Sequence, residues 1–361
     1  MNMRCLAVLS LLVGVVSMSG QAPPTSFKID LQSNGWKADR GVLKSSWLAS
    51  TIDFADDGSL WAVFPSESSQ PLQMRSGSSG YPGKVLHFGS NGEIIQECSS
   101  PTLNWSSVRL FAQRSDGFTL DTDGSLISYD GRCKQRATYP TDEHMGIMPS
   151  PNRAFVYTRT RDNRVHVLNG ESLASVRELE LPQSIGRSPI LFGDHVVAYS
   201  VKNPTKNCWQ SQFSKVDAAT GQTTPWVTID CARFNLLGDD HLVYSDSGGN
   251  APLRITGSDA AYNPPHDFHL DLGVLDGLPV DSPASLRIAE ELIETKGRHP
   301  SLDISGRFVG RSIVLLDMRT GTALLTVKVP MDSLAYAYAL SRDGKRFAVL
   351  LNSQLTVFQV P

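Results

Sequence analysis

Four segments of this chain follow one plan: "FADDGSLWAVF" from Phe54, "LFGDHVVAYS" from Leu191, "LLGDDHLVYS" from Leu236 and "LSRDGKRFAVL" from Leu340. Each places an apolar residue before a tight turn rich in Asp and Gly, then an alternating run of β-branched and aromatic residues. Asp-Gly accepts the positive φ of a two-residue hairpin turn, so each reads as strand–turn–strand. "PSPNRAFVYTRT" from Pro149 is a looser copy, and "LDISGRFVGRSIVLLD" from Leu302 a distorted one. A second hairpin built on Asn-Gly or Thr-Gly follows several copies, as in "KVLHFGSNGEIIQEC", "HVLNGESLASVRELELP", "SKVDAATGQTTPWVTID" and "VLLDMRTGTALLTVKVP". Two hairpins in series give a four-stranded antiparallel meander.

From Asp57 to Asp343 the turns recur at roughly 50-residue intervals, close to the period of about 40–50 residues of four-stranded propeller blades. The chain is therefore expected to be an all-β propeller of seven four-stranded blades. The blades are predicted over 47–99, 105–140, 145–182, 188–231, 233–272, 286–330 and from 334 onward. "LRIAEELIETK" from Leu286 reads as either a short helix or a strand. The last blade holds only three strands, "AYAYAL", "RFAVLL" and "LTVFQV". "SFKIDLQS" at Ser26 alternates Phe27, Ile29 and Leu31 against polar residues and has no blade of its own. It is predicted to pair with the strand ending at Val360, close the ring and cover both open edges.

Residues 1–20 have the form of a signal peptide: Arg4, an apolar run from Leu6 to Val16, and the small residues Ser17 and Ser19 before Gly20. The run is shorter than the roughly 20 apolar residues of a spanning helix. Cleavage leaves a single domain, 21–361, with no transmembrane segment. Export to the periplasm or the extracellular medium is expected. The formal net charge of −3 argues against nucleic acid as a partner, which calls for a basic stripe.

Outside the leader lie Cys98, Cys133, Cys208 and Cys231. In an oxidising compartment they suggest disulfides. Cys208 and Cys231 flank a hairpin turning on Ala218–Gly221 and are nearly equidistant from its centre. Opposed residues of an antiparallel pair come within disulfide range. Cys98–Cys133 then follows by elimination. Neither pair has the CxxC spacing of a redox or zinc motif.

"LSRDGKRFAVL" and "LLDMRTGTALLTVKVP" resemble the WD-repeat and YVTN-type β-propellers, of the bacterial exported kind, and the likeness extends over most of the mature chain. A regular Trp-Asp and Gly-His pattern is absent. The resemblance implies the propeller fold and a binding role by analogy; fold alone confers no chemistry.

Propeller geometry sorts the connections. Turns after each innermost strand, including the Asp-Gly turns of Asp57, Asp123 and Asp343, fall on one face and read as structural. Blade-to-blade loops and those between second and third strands fall on the other. The long polar segments "PSESSQPLQMRSGSSGYPG", "TDEHMG", "RTRDNR", "KNPTKN", "SDSGGN" and "AYNPPHDFHLDLGVLDGLPVDSPAS" belong there, so this loop-rich face is expected to bind. Asp142, Glu143 and His144 form its most acid–base-like cluster, with a plain charged loop as the simpler account. Arg159, Arg161 and Arg164, with Lys206, are candidates for anion binding. His266 and His269 with Asp267 and Asp271 are metal-ligand candidates, but alternation along a strand works against the convergence a metal needs.

GxSxG, HExxH, a phosphate-cradling Gly-rich loop and an EF-hand loop are all missing. The reading is a monomeric, cofactor-free binding or scaffold module for a protein, peptide or glycan. The alternative is a propeller-type hydrolase or lyase with a metal or acid–base site at the channel mouth. The sequence leans away from catalysis without deciding it.

Overall fold

The computed structural model describes residues 25–35, 51–65, 72–73, 79–103, 108–114, 116–122, 124–141, 144–150, 152–160, 164–180, 191–192, 196–202, 210–230, 232–237, 241–246, 253–255, 261–262, 268–271, 286–295, 308–317, 322–329 and 336–360. Among the described residues the strands form seven antiparallel sheets. β1 (Thr25–Asp30) runs into a 3₁₀ turn (Leu31–Asn34). Blade one is β2 (Ile52–Phe54), β3 (Leu60–Pro65), β5 (Ser79–Phe88) and β6 (Ile94–Leu103), with the two-residue β4 (Leu72–Gln73) paired to the start of β5. Blade two is β7 (Arg109–Ala112), β8 (Gly117–Thr122), β9 (Ser125–Asp130) and β10 (Gln135–Pro140). Blade three is β11 (His144–Pro149), β12 (Phe155–Thr160), β13 (Arg164–Asn169) and β14 (Ser175–Glu180).

Blade four is β15 (Leu191–Phe192), β16 (Val196–Lys202), β17 (Gln210–Val216) and β18 (Thr223–Asp230). Blade five is β19 (Ala232–Leu237), β20 (His241–Asp246), β21 (Leu253–Ile255) and β22 (Ala261–Tyr262). Blade six is β23 (Phe268–Asp271), β24 (Leu286–Thr295), β25 (Phe308–Asp317) and β26 (Thr322–Val329). β27 (Tyr336–Leu340), β28 (Arg346–Leu351) and β29 (Gln354–Gln359) form the last blade, and β1 is its fourth strand. The chain is a seven-bladed propeller.

β1 closes the ring with the predicted partner strand, Ile29 lying opposite Leu355 and Phe27 opposite Val357. Its alternation seats Phe27 and Ile29 against the core, while Leu31 beyond it is fully buried. Leu31 N–H donates to Ser353 O at 2.7 Å. Asp30 takes the Gln32 N–H at 3.0 Å and the Ser353 hydroxyl at 2.9 Å. Gly35 ends the turn at φ +92°, a left-handed cap open to glycine.

Apolar faces of neighbouring blades pack on each other. Leu355, Val357 and Ala348 of the last blade meet Phe54, Leu60 and Trp61 of blade one and Leu110 and Phe118 of blade two in a single cluster. Phe111 and Leu126 pack on Ile147 and Val156 between blades two and three. Tyr157 and Val165 pack with Val216 between blades three and four, and Leu315 with Tyr338 and Phe347 between blades six and seven. β2 lies beside both β27 and β7, the innermost strands of the adjoining blades. Among the described residues no helix is long and apolar enough to cross a membrane.

Three expectations change. The boundary of blades five and six moves: β23, carrying part of "HDFH", is the innermost strand of blade six rather than the end of blade five. Leu286–Thr295 is a strand that pairs on both sides, so its pattern is that of a blade interior. Of the Leu302 segment, Phe308–Asp317 is the third strand of blade six, and the residues before it lie outside the described residues. Likewise Gly124 stands between β8 and β9, on the opposite face from the Asp57 and Asp343 turns, and Asp123 lies outside the described residues. An Asp-Gly turn reports a hairpin but not which one.

Cys98 and Cys133 form a disulfide, with Cα atoms 5.7 Å apart. It ties β6 of blade one to the β9–β10 turn of blade two. The β17–β18 hairpin has the predicted turn and sets Gln210 opposite Asp230; Cys208 and Cys231 lie outside the described residues.

Candidate functional site

Of the residues singled out from the sequence, His144, Arg159 and Arg164 lie at one end of blade three on neighbouring strands, and His269 lies on blade six. Asp142, Glu143, Arg161, Lys206, His266 and Asp267 lie outside the described residues. His144 opens β11 opposite Thr160, next to a bulge. Arg159 sits near the end of β12, opposite Val165. Arg164 begins β13, and its Nη1 donates to Glu178 Oε1 at 2.8 Å. Both partners are about half exposed, and a pair of that kind contributes at most about 1 kcal/mol. His269 on β23 stands opposite Leu292. Among the described residues no group of three His, Cys, Asp or Glu is placed to hold a metal.

The polar cluster that the fold does assemble lies at the other end, on the turns after the innermost strands. These turns share one construction. Gly58 N–H donates to Ala55 O, Arg153 N–H to Ser150 O and Gly344 N–H to Ser341 O, at 2.8–2.9 Å. An acceptor inside the turn fills the remaining bonds. Asp57 Oδ1 takes the Ser59 N–H at 2.8 Å, Asn152 Oδ1 the Ala154 N–H at 2.8 Å, and Asp343 Oδ1 the Lys345 N–H at 3.1 Å.

In blade one the turn is also locked inward. Ser59 Oγ donates to Asp57 Oδ1 at 2.6 Å and lies 2.6 Å from His87 Nε2. A hydroxyl has one proton to give, so His87 donates from Nε2. Its ring stacks on Trp61 with centroids 3.9 Å apart. Burial pushes the His87 pKa down, against the pull of Asp116 and Asp57. Burial raises the Asp57 carboxyl, but the two Ser59 bonds and the charges of His87 and Arg346 outweigh it and leave it lowered.

Superposing the turns by their hydrogen bonds puts Arg153 where blades one and seven carry Gly58 and Gly344. All three are left-handed, at φ +57°, +77° and +68°. A bulky side chain there costs on the order of 1 kcal/mol, a strain found where function over-determines the backbone. Arg153 reaches from blade three to Asp53 on β2 of blade one, with Nη2 2.8 Å from Oδ2. Asp53 Oδ2 also accepts the Ala112 N–H of blade two at 2.9 Å, and Oδ1 its neighbour Phe54 N–H at 3.0 Å. From the last blade, Arg342 Nη1 donates to Asp56 Oδ1 on the blade-one turn. Its Nε and Nη2 are buried and have no partner among the described residues. Burial first, then the neighbouring Arg153 charge, lower the Arg342 pKa to about 10; Asp53 and Asp56 pull it up and Arg114 pushes it down again.

No family model and no curated protein matches the chain. Solved structures do. It is similar to a chain of the mitotic checkpoint complex (12% identity, TM-score 0.46, all of both chains covered). It is also similar to U3-55K (12% identity, TM-score 0.46, 90% of this chain and 100% of that one). The Neurospora crassa Pan2 WD40 domain is a third (11% identity, TM-score 0.46, 95% and 97% covered).

Turns of blades seven, one and three thus set Arg342 on Asp56 and Arg153 on Asp53, with the Arg114 charge of blade two acting on Arg342. Buried nitrogens without a partner among the described residues remain on both sides, Nε of Arg153 and Nε and Nη2 of Arg342. Guanidinium forks match carboxylates and other planar anions with paired bonds. The sequence reading passed over this end because Asp-Gly turns are structural by default. The signal was present: an arginine at the glycine position of one turn, and charges at the tips of "DDG", "RSDG" and "SRDG".

Proposed function

We propose that this protein is an exported binding module that holds an acidic segment of a partner protein at the turn-side end of its ring. One observation carries the reading: four blades converge charged side chains at that end and leave Arg342 with unmatched donors. This moves the ligand from the loop-rich face to the opposite one, where the charge is assembled. A left-handed Arg153 and a buried Asp53 hold the arrangement, so the site exists before a ligand arrives and association loses little ordering entropy. The leader at 1–20 supports export, and the Cys98–Cys133 disulfide fits an oxidising compartment.

Site-specific photocrosslinking in the native host tests this. A crosslinker replacing exposed Arg114 is expected to capture one defined protein, and one at Arg132, on an exposed turn of blade two, is not. Capture is expected to fail at about 0.5 M salt, where surface charge is screened within a few ångström. It is also expected to fail in Arg342→Gln. Equal capture from both positions, or capture indifferent to Arg342, overturns the reading. N-terminal sequencing of the exported protein is expected to begin after Gly20.

A further inference from the structure

The two carboxylates of the cluster are held very differently. Asp53 is 7% exposed and committed to Arg153 and to two backbone N–H groups. The Asp56 side chain is 43% exposed, sits on a turn tip and meets only Arg342 among the described residues. The Arg342 side chain is 17% exposed and stands in the field of the Arg153 charge, so an anion beside it is favourable. Yet Asp56 engages only one of its nitrogens and leaves two buried donors unmet. A buried donor without a partner costs about 1–3 kcal/mol. The position thus demands a carboxylate and is served by one that is easily released and poorly fitted.

Resting on the binding reading above, we infer that Asp56 is a resident stand-in for the ligand's carboxylate. An Asp or Glu side chain of the partner displaces it from Arg342 and takes the fork with two bonds, while Arg153–Asp53 stays in place as the fixed wall. Asp56 swings out to solvent, which its exposure makes inexpensive. The internal carboxylate lowers affinity for weak anions and keeps the site occupied until a segment with several carboxylates arrives, a built-in competitor that favours specificity.

A fluorescein-labelled, capped tetra-aspartate peptide and the purified mature protein test this by fluorescence anisotropy at low salt. Wild type is expected to bind, and a tetra-lysine peptide is not. Arg342→Gln is expected to weaken binding at least about tenfold, as loss of a charge-assisted pair does. Arg342→Lys, which keeps the charge but not the fork, is expected to recover only part of it. The decisive variant is Asp56→Asn, which removes the competitor and is expected to tighten binding about three- to tenfold with an unchanged melting curve. Binding by Asp56→Asn that is equal to or weaker than wild type overturns the stand-in role. Tighter binding of an oligogalacturonate, which presents carboxylates on a sugar, overturns the assignment to a protein segment. If Asp56→Asn fails to tighten binding while crosslinking still depends on Arg342, the exchange falls and the binding module stands. If Arg342→Gln alters neither peptide binding nor crosslinking, both fall.

Discussion

Arg109 and Arg342 are both largely buried arginines near the ring axis, at opposite ends of the blades. Arg109 opens β7 directly opposite Asp121 of β8, with Nε 3.7 Å from Oδ2, and Nη1 donates to Ile147 O of the next blade. Burial lowers its pKa and Asp121 restores part of it. One cation meets one anion through the strand ladder itself. Arg342 belongs to a turn, meets Asp56 from another blade, stands in the field of Asp53, Arg153 and Arg114, and has two buried nitrogens without a partner among the described residues where Arg109 has one. A strand fixes its own neighbour two ladder bonds away, so charge there can be balanced within a blade. Turn tips meet only because the ring closes, so charge there is matched between blades. The Arg109 ion pair lies within one blade and the Arg342 ion pair between two.

The sharpest break in that comparison is Asp121→Ala. Removing one partner of a buried pair leaves Arg109 uncompensated, and a loss of about 3–5 kcal/mol is expected in urea unfolding. Asp121→Asn, which keeps a hydrogen-bonding oxygen, is expected to lose less. Arg342→Gln is expected to change stability in the opposite sense, by a gain of about 1 kcal/mol, because it removes unmatched buried donors while abolishing anion binding. A large loss in Arg342→Gln would make the two arginines equivalent and end the contrast.

A pH series sharpens the turn-side end. Burial lowers the His87 pKa below the ordinary histidine value of 6.5, so the unfolded chain binds the extra proton first, and stability is expected to fall as pH drops from 6.5 toward the lowered folded value. His87→Gln is expected to flatten that slope. At Asp343, burial raises the carboxyl, but the Ser341 hydroxyl, the Lys345 N–H and the charges of Lys345 and Arg346 lower it overall. With Asp57, it contributes stability present above about pH 4, and this is expected to be lost as pH falls through the lowered folded values. The smallest effect is Asp56→Ala, expected within about 1 kcal/mol in the same unfolding assay.

Hairpins were legible because each one is local. The Asp-Gly turn, the alternation of "SLWAVF" and the Thr-Gly turn before "TALLTVKV" are properties of neighbouring residues, and the blades they make stand where the repeat put them. Ring closure by Phe27, Ile29 and Leu31 was also legible, since one missing strand and one spare strand admit a single pairing. The fifth and sixth blades were not, because Phe268–Asp271 carries no turn signal to mark it as an innermost strand. The turn-side cluster was passed over for a related reason. Loop length and polarity pointed to one face, while the assembled charge is carried by short turns whose individual sequences look like plain hairpins.

By itself the sequence determined the repeat, the blade count and the strand that completes the last blade, since these follow from local turn chemistry and two-residue alternation. Only the tertiary structure decided that Arg342, Asp56, Arg114, Arg153 and Asp53 belong together. Asp53 and Asp56 share one segment, but Arg114, Arg153 and Arg342 lie on others, up to hundreds of residues away, and Coulomb forces act through space rather than along the chain. The ring brings those segments to one end and sets Arg153 on Asp53 and Arg342 on Asp56.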